Sequence, residues 1–245
     1  MPDPIAVMLA AGRGLRMGGE RPKTLIPMGR GEPLLHYILR GLDKAGVGEA
    51  VIVTGFMPEE IRAYVDARSD RVAVAYAHNA QWEGRGNYHS LRVGLEAAGE
   101  RDVLVVNCDV VVHPDVYRRV ACGAGDLVLA VQNKDDLDAE DMRVELTDGA
   151  VTAIGKGLEM QRSHGEYSGV SLLRPRAAAA YRSACDDVET GGDGSGYYED
   201  VYALILDRVS AVPAEVGPGE YAEVDEPADV GDAVAVIGRY PGVWD

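Results

Sequence analysis

The sequence predicts an α/β protein of Rossmann-like type, with a mostly parallel mixed sheet and helices on both of its faces. Apolar, β-branched runs recur along the first half of the chain, at positions 5–11, 50–56, 71–76, 102–112 and 126–131. Stretches with helical spacing of apolar residues separate most of these runs. Strands that are apolar on both faces and alternate with helices are typical of a parallel sheet covered on two sides.

The remaining elements follow from spacing and turn residues. Apolar periodicity predicts helices at 33–46, 58–68, 90–98, 176–185, 199–208 and 227–239. Segment 142–156 is expected to form a hairpin around the turn pair Asp148-Gly149, and segment 166–173 a further strand. The glycine-rich segment 189–196 is predicted to be a flexible loop.

Length and charge restrict the classes of function. A chain of 245 residues suffices for one domain with a sizeable core, and neither an interdomain linker nor an internal repeat is visible. The formal net charge is −16, from 24 basic and 40 acidic side chains, which argues against a nucleic-acid partner. Residues 1–30 nevertheless carry five cations and only two acids, which suggests a small anionic ligand at that end.

Cysteine usage and hydropathy point to the cytoplasm. The three cysteines have no CxxC spacing and predict no disulfide framework, as expected in a reducing compartment. The first apolar run is too short to span a membrane, and Asp3 precedes it where a signal peptide would carry basic residues. No membrane partner is therefore expected, whereas a homo-oligomer stays open.

The sharpest motif is the glycine-rich turn that follows the first apolar run. Gly12 and Gly14 end that run, and Arg16 and Lys23 follow on the loop. Glycines allow the backbone to approach an anion closely, so that its N–H groups donate to phosphate oxygens. The two cations then supply the charge that a triphosphate requires.

Two better-known phosphate loops do not fit this turn. A dinucleotide fingerprint requires G-x-G-x-x-G, whereas Gly12, Gly14 and Gly18 are spaced one residue too far apart. A Walker loop requires Gly directly before Lys, whereas Pro22 precedes Lys23. A plain glycine turn with solvated cations would leave unexplained why both cations lie beside the glycines.

The segments LAAGRGLRM and PKTLIPM resemble the opening signature of nucleotidylyltransferases that activate sugar phosphates, phosphocholine and inositol phosphate. The resemblance covers nearly the whole chain. It implies that Arg16 and Lys23 contact the phosphates of an NTP, and that Lys23 stabilises charge on the α-phosphate during attack. The implied nucleotide-binding loop consists of Leu9, Ala10, Ala11, Gly12 and Gly14.

Two carboxylates are candidates for binding Mg²⁺. Asp109 follows a buried apolar run, and Asp225 lies in an acidic segment that also holds Glu223 and Glu226. Taken alone, Asp109 could cap a turn and the acidic segment could be a solvated helix start. The resemblance implies instead that Asp109 and Asp225 hold the divalent metal, and oxygen ligands supplemented by substrate phosphates suit Mg²⁺.

The segment NAQWEGRGNYHSL, at 79–91, departs from the Gly-Thr-Ala stretch of the sugar-phosphate members of this family. It is similar to the Asn/Ser-rich segment of phosphocholine and inositol-1-phosphate cytidylyltransferases. The resemblance therefore favours CTP, with Asn87 and Ser90 near the pyrimidine, although UTP or another NTP stays open.

The acceptor site is expected in the second half of the chain. The resemblance implies that Lys156 holds the acceptor phosphate and that Glu199 lies at the site. Tyr197 and Tyr198 precede this acid, and aromatic faces with carboxylates suit an ammonium group. Equally, the tyrosines could pack the start of a helix whose N-terminus the acids favour.

These observations predict one domain over 1–245, with a nucleotide-binding half at 1–112 and an acceptor-binding half at 113–245. The expected enzyme transfers CMP from CTP to phosphocholine or a similar aminophosphate or phosphonate and releases pyrophosphate. An enzyme acting on inositol-1-phosphate or a sugar 1-phosphate is the first alternative. A regulatory module that binds nucleotide without catalysis is the second.

Overall fold

The computed structural model describes residues 3–68, 71–134, 136–191 and 195–244. Its strands are β1 (Ile5–Ala10), β2 (Glu49–Thr54), β3 (Ala73–His78), β4 (Val103–Asn107), β5 (Val110–Val112), β6 (Leu127–Gln132), β7 (Arg143–Thr147), β8 (Ala150–Gly155), β9 (Gly165–Leu173), β10 (Ala211–Val216) and β11 (Tyr221–Glu223). Its helices are α1 (Leu34–Ala45), α2 (Pro58–Asp66), α3 (Asn87–Ala98), α4 (Pro114–Cys122), α5 (Pro175–Gly191), α6 (Tyr198–Ala203) and α7 (Val230–Arg239). In these ranges no helix has the length and apolar character that a membrane span requires.

Nine strands form one sheet, whose main path runs β10-β6-β9-β4-β1-β2-β3. Strand β1 pairs in parallel with β2 and β4, β2 with β3, and β6 with β10. Strand β9 lies antiparallel between β4 and β6, and the hairpin β7–β8 joins the sheet through β9. The mostly parallel mixed sheet confirms the predicted fold class.

Helices cover both faces of this sheet, as the apolar strands require. Alternate residues of a strand point to opposite faces, so Val7 and Val105 pack into one hydrophobic cluster and Met8 and Val106 into another. Helices α3, α5 and α6 contribute to the first cluster, and α1 and α4 to the second. Burial on two faces explains why these strands contain almost no polar residues.

The apolar run 102–112 forms two strands, and the break between them positions the site. Strand β4 ends at Asn107, and β5 leaves the main sheet to pair antiparallel with β11. The backbone N–H of Val224 donates to the carbonyl of Asp109 at 2.8 Å. Two acidic segments that are far apart in sequence therefore meet beyond the carboxyl ends of β1 and β4, where open α/β sheets bind ligands.

Two predictions of local structure were wrong in the second half. Helix 199–208 was expected, but α6 ends at Ala203, and isolated turns lead the chain into β10. The loop expected at 189–196 begins later, because α5 continues to Gly191. Ion pairs from Arg92 to Asp186 at 2.8 Å and from Arg85 to Glu189 at 2.9 Å hold the last turns of α5. Positions 192–194 lie outside the described residues.

Three elements were not predicted at all. Strand β10 contains Pro213, which lowers its strand signal, but β10 is an edge strand, where proline is tolerated. Strand β11 has only three residues, and its partner is the equally short β5. Helix α4 begins with Pro114, a residue favoured in a first helical turn.

Candidate active site

The glycine turn after β1 forms a loop that closes over Lys23. Gly14 has a φ of 65°, in the left-handed region that favours glycine. A Cβ atom on Gly14 would lie 2.7 Å from the Cβ of Lys23. Short 3₁₀ turns at Leu15–Met17 and Lys23–Leu25 complete the loop. Glycine at position 14 is therefore required both by the backbone and by the lysine stem against it.

A cavity of about 640 Å³, here called the loop cavity, opens beside this turn. Among the residues of the predicted nucleotide-binding loop, its lining includes Leu9, Ala10, Gly12 and Gly14. Ala11 lies behind this wall, since it is 4% exposed and its carbonyl accepts from the N–H of Phe56 at 3.0 Å. The prediction that Ala11 contacts the nucleotide is therefore corrected: Ala11 supports the cavity wall from behind.

Charged side chains from distant parts of the chain meet at the floor of the loop cavity. The Lys23 Nζ donates to Asp225 Oδ1 at 2.5 Å and to Asp109 Oδ2 at 3.2 Å. The Arg16 guanidinium donates to Asp225 Oδ2 at 2.6 Å. These four residues are the two predicted catalytic cations and the two predicted metal ligands, and we call them the reaction centre.

Opposite charges in the reaction centre stabilise the ionised forms of Lys23 and Asp225. Burial lowers the pKa of Lys23, but the charges of Asp109 and Asp225 and the hydrogen bonds to them outweigh burial, so the net pKa is raised. For Asp225, burial raises the pKa, but Lys23 and Arg16 outweigh it and lower the net value. Lys23 is therefore a cation and Asp225 an anion near neutral pH.

A third carboxylate, which the sequence did not single out as a metal ligand, joins the reaction centre. Glu223, Asp225 and Asp109 each offer an oxygen, and these oxygens lie within 4.8 Å of one another. Burial and the charges of Asp109 and Asp225 raise the pKa of Glu223 to about 8. Its position two residues before Asp225, in a short strand, was the only sequence signal that could have pointed to it.

A second cavity of about 760 Å³, here called the acidic cavity, adjoins the first. The two cavities share Arg16, Asp109 and Asp225 in their walls. The described residues that line the acidic cavity include eleven carboxylate side chains and only four cations. Its charge therefore favours a cation or a metal ion, whereas the loop cavity has three basic and three acidic residues in its wall.

Lys156 and Tyr197, both predicted to bind the acceptor, lie together on the wall of the acidic cavity. The Lys156 Nζ lies 5.4 Å from the centroid of the Tyr197 ring and 3.1 Å from a carboxylate oxygen of Glu140. The turn after β8 thus contacts the start of α6. The aromatic face expected to receive a ligand cation already contacts a cation of the chain.

Tyr198 does not line the cavity, which corrects its predicted role. Its side chain is fully buried. The hydroxyl donates to Asn107 Oδ1 at 2.9 Å and lies 3.0 Å from the Tyr167 hydroxyl. The physical reason is helical geometry: Tyr198 begins α6 on the side that faces the sheet, where several tyrosines pack edge to face. Tyr198 supports the site from the core.

Ser90 is also buried, and its hydroxyl accepts from Asn79 Nδ2 at 3.0 Å. It lines neither cavity, which corrects the expectation that it faces the pyrimidine. Asn87 lines the acidic cavity, and its Oδ1 accepts from the backbone N–H of Tyr198 at 2.8 Å. From the same sequence segment, Trp82 and Glu83 lie in the wall of the loop cavity, which sequence reasoning missed.

Glu199 lines the acidic cavity although it is only 5% exposed. Burial raises its pKa to about 8. Among the residues that the structure describes, its Oε2 atom has no hydrogen-bond partner. A buried carboxylate oxygen without a partner is costly, so this atom is suited to a ligand that donates a hydrogen bond.

Sequence comparison assigns the family. Residues 6–189, about three quarters of the chain, match the MobA-like NTP transferase domain. The chain belongs to the MobA-like NTP transferase domain family. It is a nucleotidyltransferase, and the predicted class of enzyme is confirmed.

Relatives of this NTP transferase include two proteins called bifunctional protein GlmU. The one from Corynebacterium aurimucosum is 29% identical over 248 residues, which cover 96% of this chain and 49% of that protein. The one from Symbiobacterium thermophilum is 26% identical over 225 residues, covering 87% of this chain and 46% of that protein. The chain thus spans about half the length of these relatives.

Solved structures of NTP transferases share the fold. The inositol-1-phosphate CTP transferase from T. maritima has a TM-score of 0.81 and 19% identity, with 97% of each chain covered. The CTP:phosphocholine cytidylyltransferase from Streptococcus pneumoniae has a TM-score of 0.76 and 19% identity, with 96% of this chain and 99% of that chain covered. At such identities the likeness establishes the fold alone.

Proposed function

We propose that this NTP transferase moves CMP from CTP to a small phosphorylated acceptor that carries a cationic head group, and releases pyrophosphate. The observation that carries the proposal is the reaction centre, because Arg16, Asp109 and Asp225 line both cavities and Lys23 contacts both carboxylates. In this proposal, residues 1–112 supply most of the nucleotide site and residues 113–245 most of the acceptor site. Asp225 crosses that boundary, since it lines both cavities.

The carboxylates of the reaction centre fit a divalent ion. Asp109, Glu223 and Asp225 offer an all-oxygen donor set, which is the type that Mg²⁺ prefers. The Oδ1 atom of Asp109 is buried without a hydrogen-bond partner among the described residues, as expected for a ligand atom. We therefore propose that Asp109 and Asp225 hold Mg²⁺ with Glu223 beside them. A bound ion supplies neutralisation of phosphate charge.

The chain's own residues bind, orient and stabilise charge. Lys23 and Arg16 contact the phosphates of the nucleotide from the floor of the loop cavity. A phosphate or phosphonate oxygen of the acceptor attacks the α-phosphorus, and the bond to the oxygen that bridges to the β-phosphate breaks. Lys23 stabilises the charge that builds on the α-phosphate oxygens in this step. Because the acceptor supplies the nucleophile, no covalent enzyme intermediate is required.

CTP is the proposed nucleotide. Segment 79–91 departs from the sugar-phosphate pattern, and two solved structures with this fold are named as CTP enzymes. Trp82 and Glu83, in the wall of the loop cavity, come from this same segment. Since Ser90 is buried, recognition of the base falls to the exposed part of the segment.

The proposed acceptor is phosphocholine or a similar aminophosphate or aminophosphonate. The excess of carboxylates over cations in the acidic cavity supports a cationic head group. Lys156 lies in the same wall and is the proposed contact for the acceptor phosphate. The Tyr197 ring beside it is placed to enclose the acceptor from the solvent side.

A polyol or sugar phosphate is the second candidate acceptor. The match to the inositol-1-phosphate CTP transferase, with a TM-score of 0.81, favours it. So does the 27% identity, over 52% of this chain, to a D-glycero-alpha-D-manno-heptose 1-phosphate guanylyltransferase from Aneurinibacillus thermoaerophilus. A neutral acceptor would leave the excess negative charge of the acidic cavity to metal ions alone.

A matrix of nucleotides and acceptors tests the proposed function. Each of four NTPs is combined with phosphocholine, phosphoethanolamine, 2-aminoethylphosphonate, inositol-1-phosphate and glucose-1-phosphate, and pyrophosphate release is measured with Mg²⁺. We expect the highest kcat/KM with CTP and an acceptor that carries an amine or quaternary ammonium. A preference for inositol or glucose phosphate would replace the proposed acceptor and keep the nucleotidyl transfer.

A further inference from the structure

We propose that the acceptor's head group is a protonated amine that carries N–H donors, and that Glu199 accepts a hydrogen bond from it. This inference rests on the proposed function and narrows it, because it separates aminoalkyl phosphates or phosphonates from quaternary ammonium acceptors such as phosphocholine. Two independent features of the acidic cavity support it: the contacts that its aromatic rings already make, and the partners that its carboxylates already have.

The aromatic rings around the cavity do not form a cage for a quaternary ammonium. Such a cage requires ring faces that are free to contact the cation. One face of the Tyr197 ring is contacted by Lys156, and a ligand cation beside this ring would be repelled by that lysine. Tyr167 lines the cavity but is only 3% exposed, and it packs edge to face with Tyr198 and Tyr202.

Most carboxylates of the cavity already have partners within the chain. Lys134 contacts Asp141 at 2.9 Å and Glu166 at 3.5 Å. Lys156 contacts Glu140, and Asp225 belongs to the reaction centre. The charge of these acids is therefore largely balanced before an acceptor enters.

Glu199 differs from these acids in one respect. Like Asp141 and Glu166 it is buried, but its Oε2 has no hydrogen-bond partner among the described residues. The closest acid in sequence, Asp200, accepts instead from the backbone N–H of Tyr197 at 2.8 Å. Glu199 is thus a buried cavity-lining carboxylate with hydrogen-bonding capacity to spare.

An ammonium with N–H donors matches this oxygen, and a trimethylammonium does not. Burial raises the pKa of Glu199 to about 8, but the positive charge of a bound ammonium favours the carboxylate form. The N–H group then donates directly to Oε2, and such charge-assisted hydrogen bonds are short and strong. Three methyl groups would hold the nitrogen away from the carboxylate and leave the buried oxygen without a donor. A site built to hydrogen-bond a ligand rejects analogues that lack the donor far more strongly than it rejects a change in apolar bulk.

The test compares three acceptors that share a phosphate and differ in the head group: phosphoethanolamine, phosphocholine and n-propyl phosphate. Initial rates of pyrophosphate release with saturating CTP give kcat/KM for each. We expect phosphoethanolamine to exceed both others by about 10- to 100-fold, the range for a hydrogen bond to a charged group. Equal or better use of phosphocholine by the unmodified enzyme would overturn the inference and leave the proposed function intact.

Two variants test whether Glu199 causes the preference for phosphoethanolamine. Glu199→Gln should remove most of the advantage of phosphoethanolamine by raising its KM, while the KM for CTP stays within about twofold. Asp207→Asn removes one negative charge from an exposed position outside both cavities and should keep the advantage. An advantage that survives in Glu199→Gln would assign head-group recognition to another residue and overturn the role of Glu199.

The failure of the proposed function has a different signature. If no acceptor in the panel or in the wider matrix supports pyrophosphate release, the proposed function is wrong and this inference is lost with it. The acceptor preference of the unmodified enzyme needs no variant, so the inference can be overturned even if Glu199→Gln does not fold.

Discussion

The loop cavity and the acidic cavity meet at the same three residues but are built in different ways. A continuous stretch of backbone after β1 forms much of the loop cavity, with a positive φ at Gly14 and basic residues nearby. Side chains from α3, α6, β9, β11 and the turn after β8 line the acidic cavity. The first is a local motif, whereas the second exists only in the folded chain.

This difference matches the chemistry expected of each cavity. Phosphate groups are recognised by backbone N–H groups and cations on a short loop, so one loop can serve any NTP. In the proposed function, the acceptor head group is recognised by side chains at defined positions, such as Glu199 and Lys156. The loop cavity therefore suits the phosphate chemistry that every NTP shares, and the acidic cavity suits the choice of acceptor.

The largest effect is expected at the carboxylates that join the two cavities. Asp109→Asn or Asp225→Asn should lower kcat by about 10³ or more, because a bound metal ion supplies several kcal/mol of charge stabilisation. Thermal unfolding of each variant should remain cooperative. Asp207→Asn, an exposed position outside both cavities with the same loss of charge, should stay near the activity of the unmodified enzyme. Normal activity of Asp109→Asn or Asp225→Asn would contradict that residue's role as a metal ligand. Full activity of the unmodified enzyme in excess chelator would contradict the need for a metal ion.

The next largest effect belongs to the loop cavity alone. Lys23→Ala should lower kcat by about 10²–10³, the usual cost of losing one donor to a developing charge. The Kd for CTP should change much less, because the lysine acts mainly as the α-phosphate is attacked. Single-turnover rates and CTP titration by calorimetry separate the two quantities. A variant within a few-fold of the unmodified kcat would contradict the catalytic role.

The backbone of the loop can be tested with a pair of glycines. In Gly14→Ala the new Cβ would both strain a positive φ and contact the stem of Lys23. In Gly18→Ala the strain is at least as large, because a φ of 100° with a ψ of −21° lies outside the narrow left-handed region that residues with a Cβ adopt, but no atom lies within 4 Å of the new Cβ. We expect both to lose stability, at about 1–2 kcal/mol, and only Gly14→Ala to lose about tenfold or more in kcat/KM for CTP. Equal kinetic losses would show that strain alone explains the effect.

The sequence predicted the loop cavity better than the acidic cavity for a physical reason. Arg16 and Lys23 lie within twelve residues of Gly12, so their proximity to the turn followed from the chain itself. The contact of Lys23 with Asp225, 202 residues apart, depends on the pairing of β5 with β11, and both of these strands were too short to recognise. The resemblance to a family, and not the spacing, suggested that contact.

In the acidic cavity, sequence could name residue types but not their orientation. Tyr197 and Tyr198 are adjacent in sequence, yet one is 49% exposed and the other fully buried. The start of α6 turns one toward the cavity and the other toward the sheet, and the register of a short helix is not readable from six residues. Ser90 has a different cause: α3 begins at Asn87, three residues earlier than predicted, so Ser90 lies within the helix on its buried side.

The smallest expected effect is on stability, and it involves Glu199. Burial raises the pKa of this carboxyl from about 4.5 to about 8, so the folded state binds its proton more tightly than the unfolded state. Stability from this group is therefore present at low pH and is lost as pH rises between these two values. Glu199→Gln should unfold at nearly the same temperature as the unmodified protein at pH 5, and a few degrees higher at pH 8.5. A difference that does not change with pH would contradict the raised pKa.

We expect the acceptor in the acidic cavity to attack the nucleotide in the loop cavity, and one measurement tests this directly. Pyrophosphate release from CTP with Mg²⁺ is followed with and without phosphoethanolamine, and the cytidylylated product is quantified in the same samples. We predict that release requires the acceptor and that one product molecule forms for each pyrophosphate. Equal release without acceptor, or release without the product, would mean that water attacks the nucleotide and that the acidic cavity has no part in the transfer.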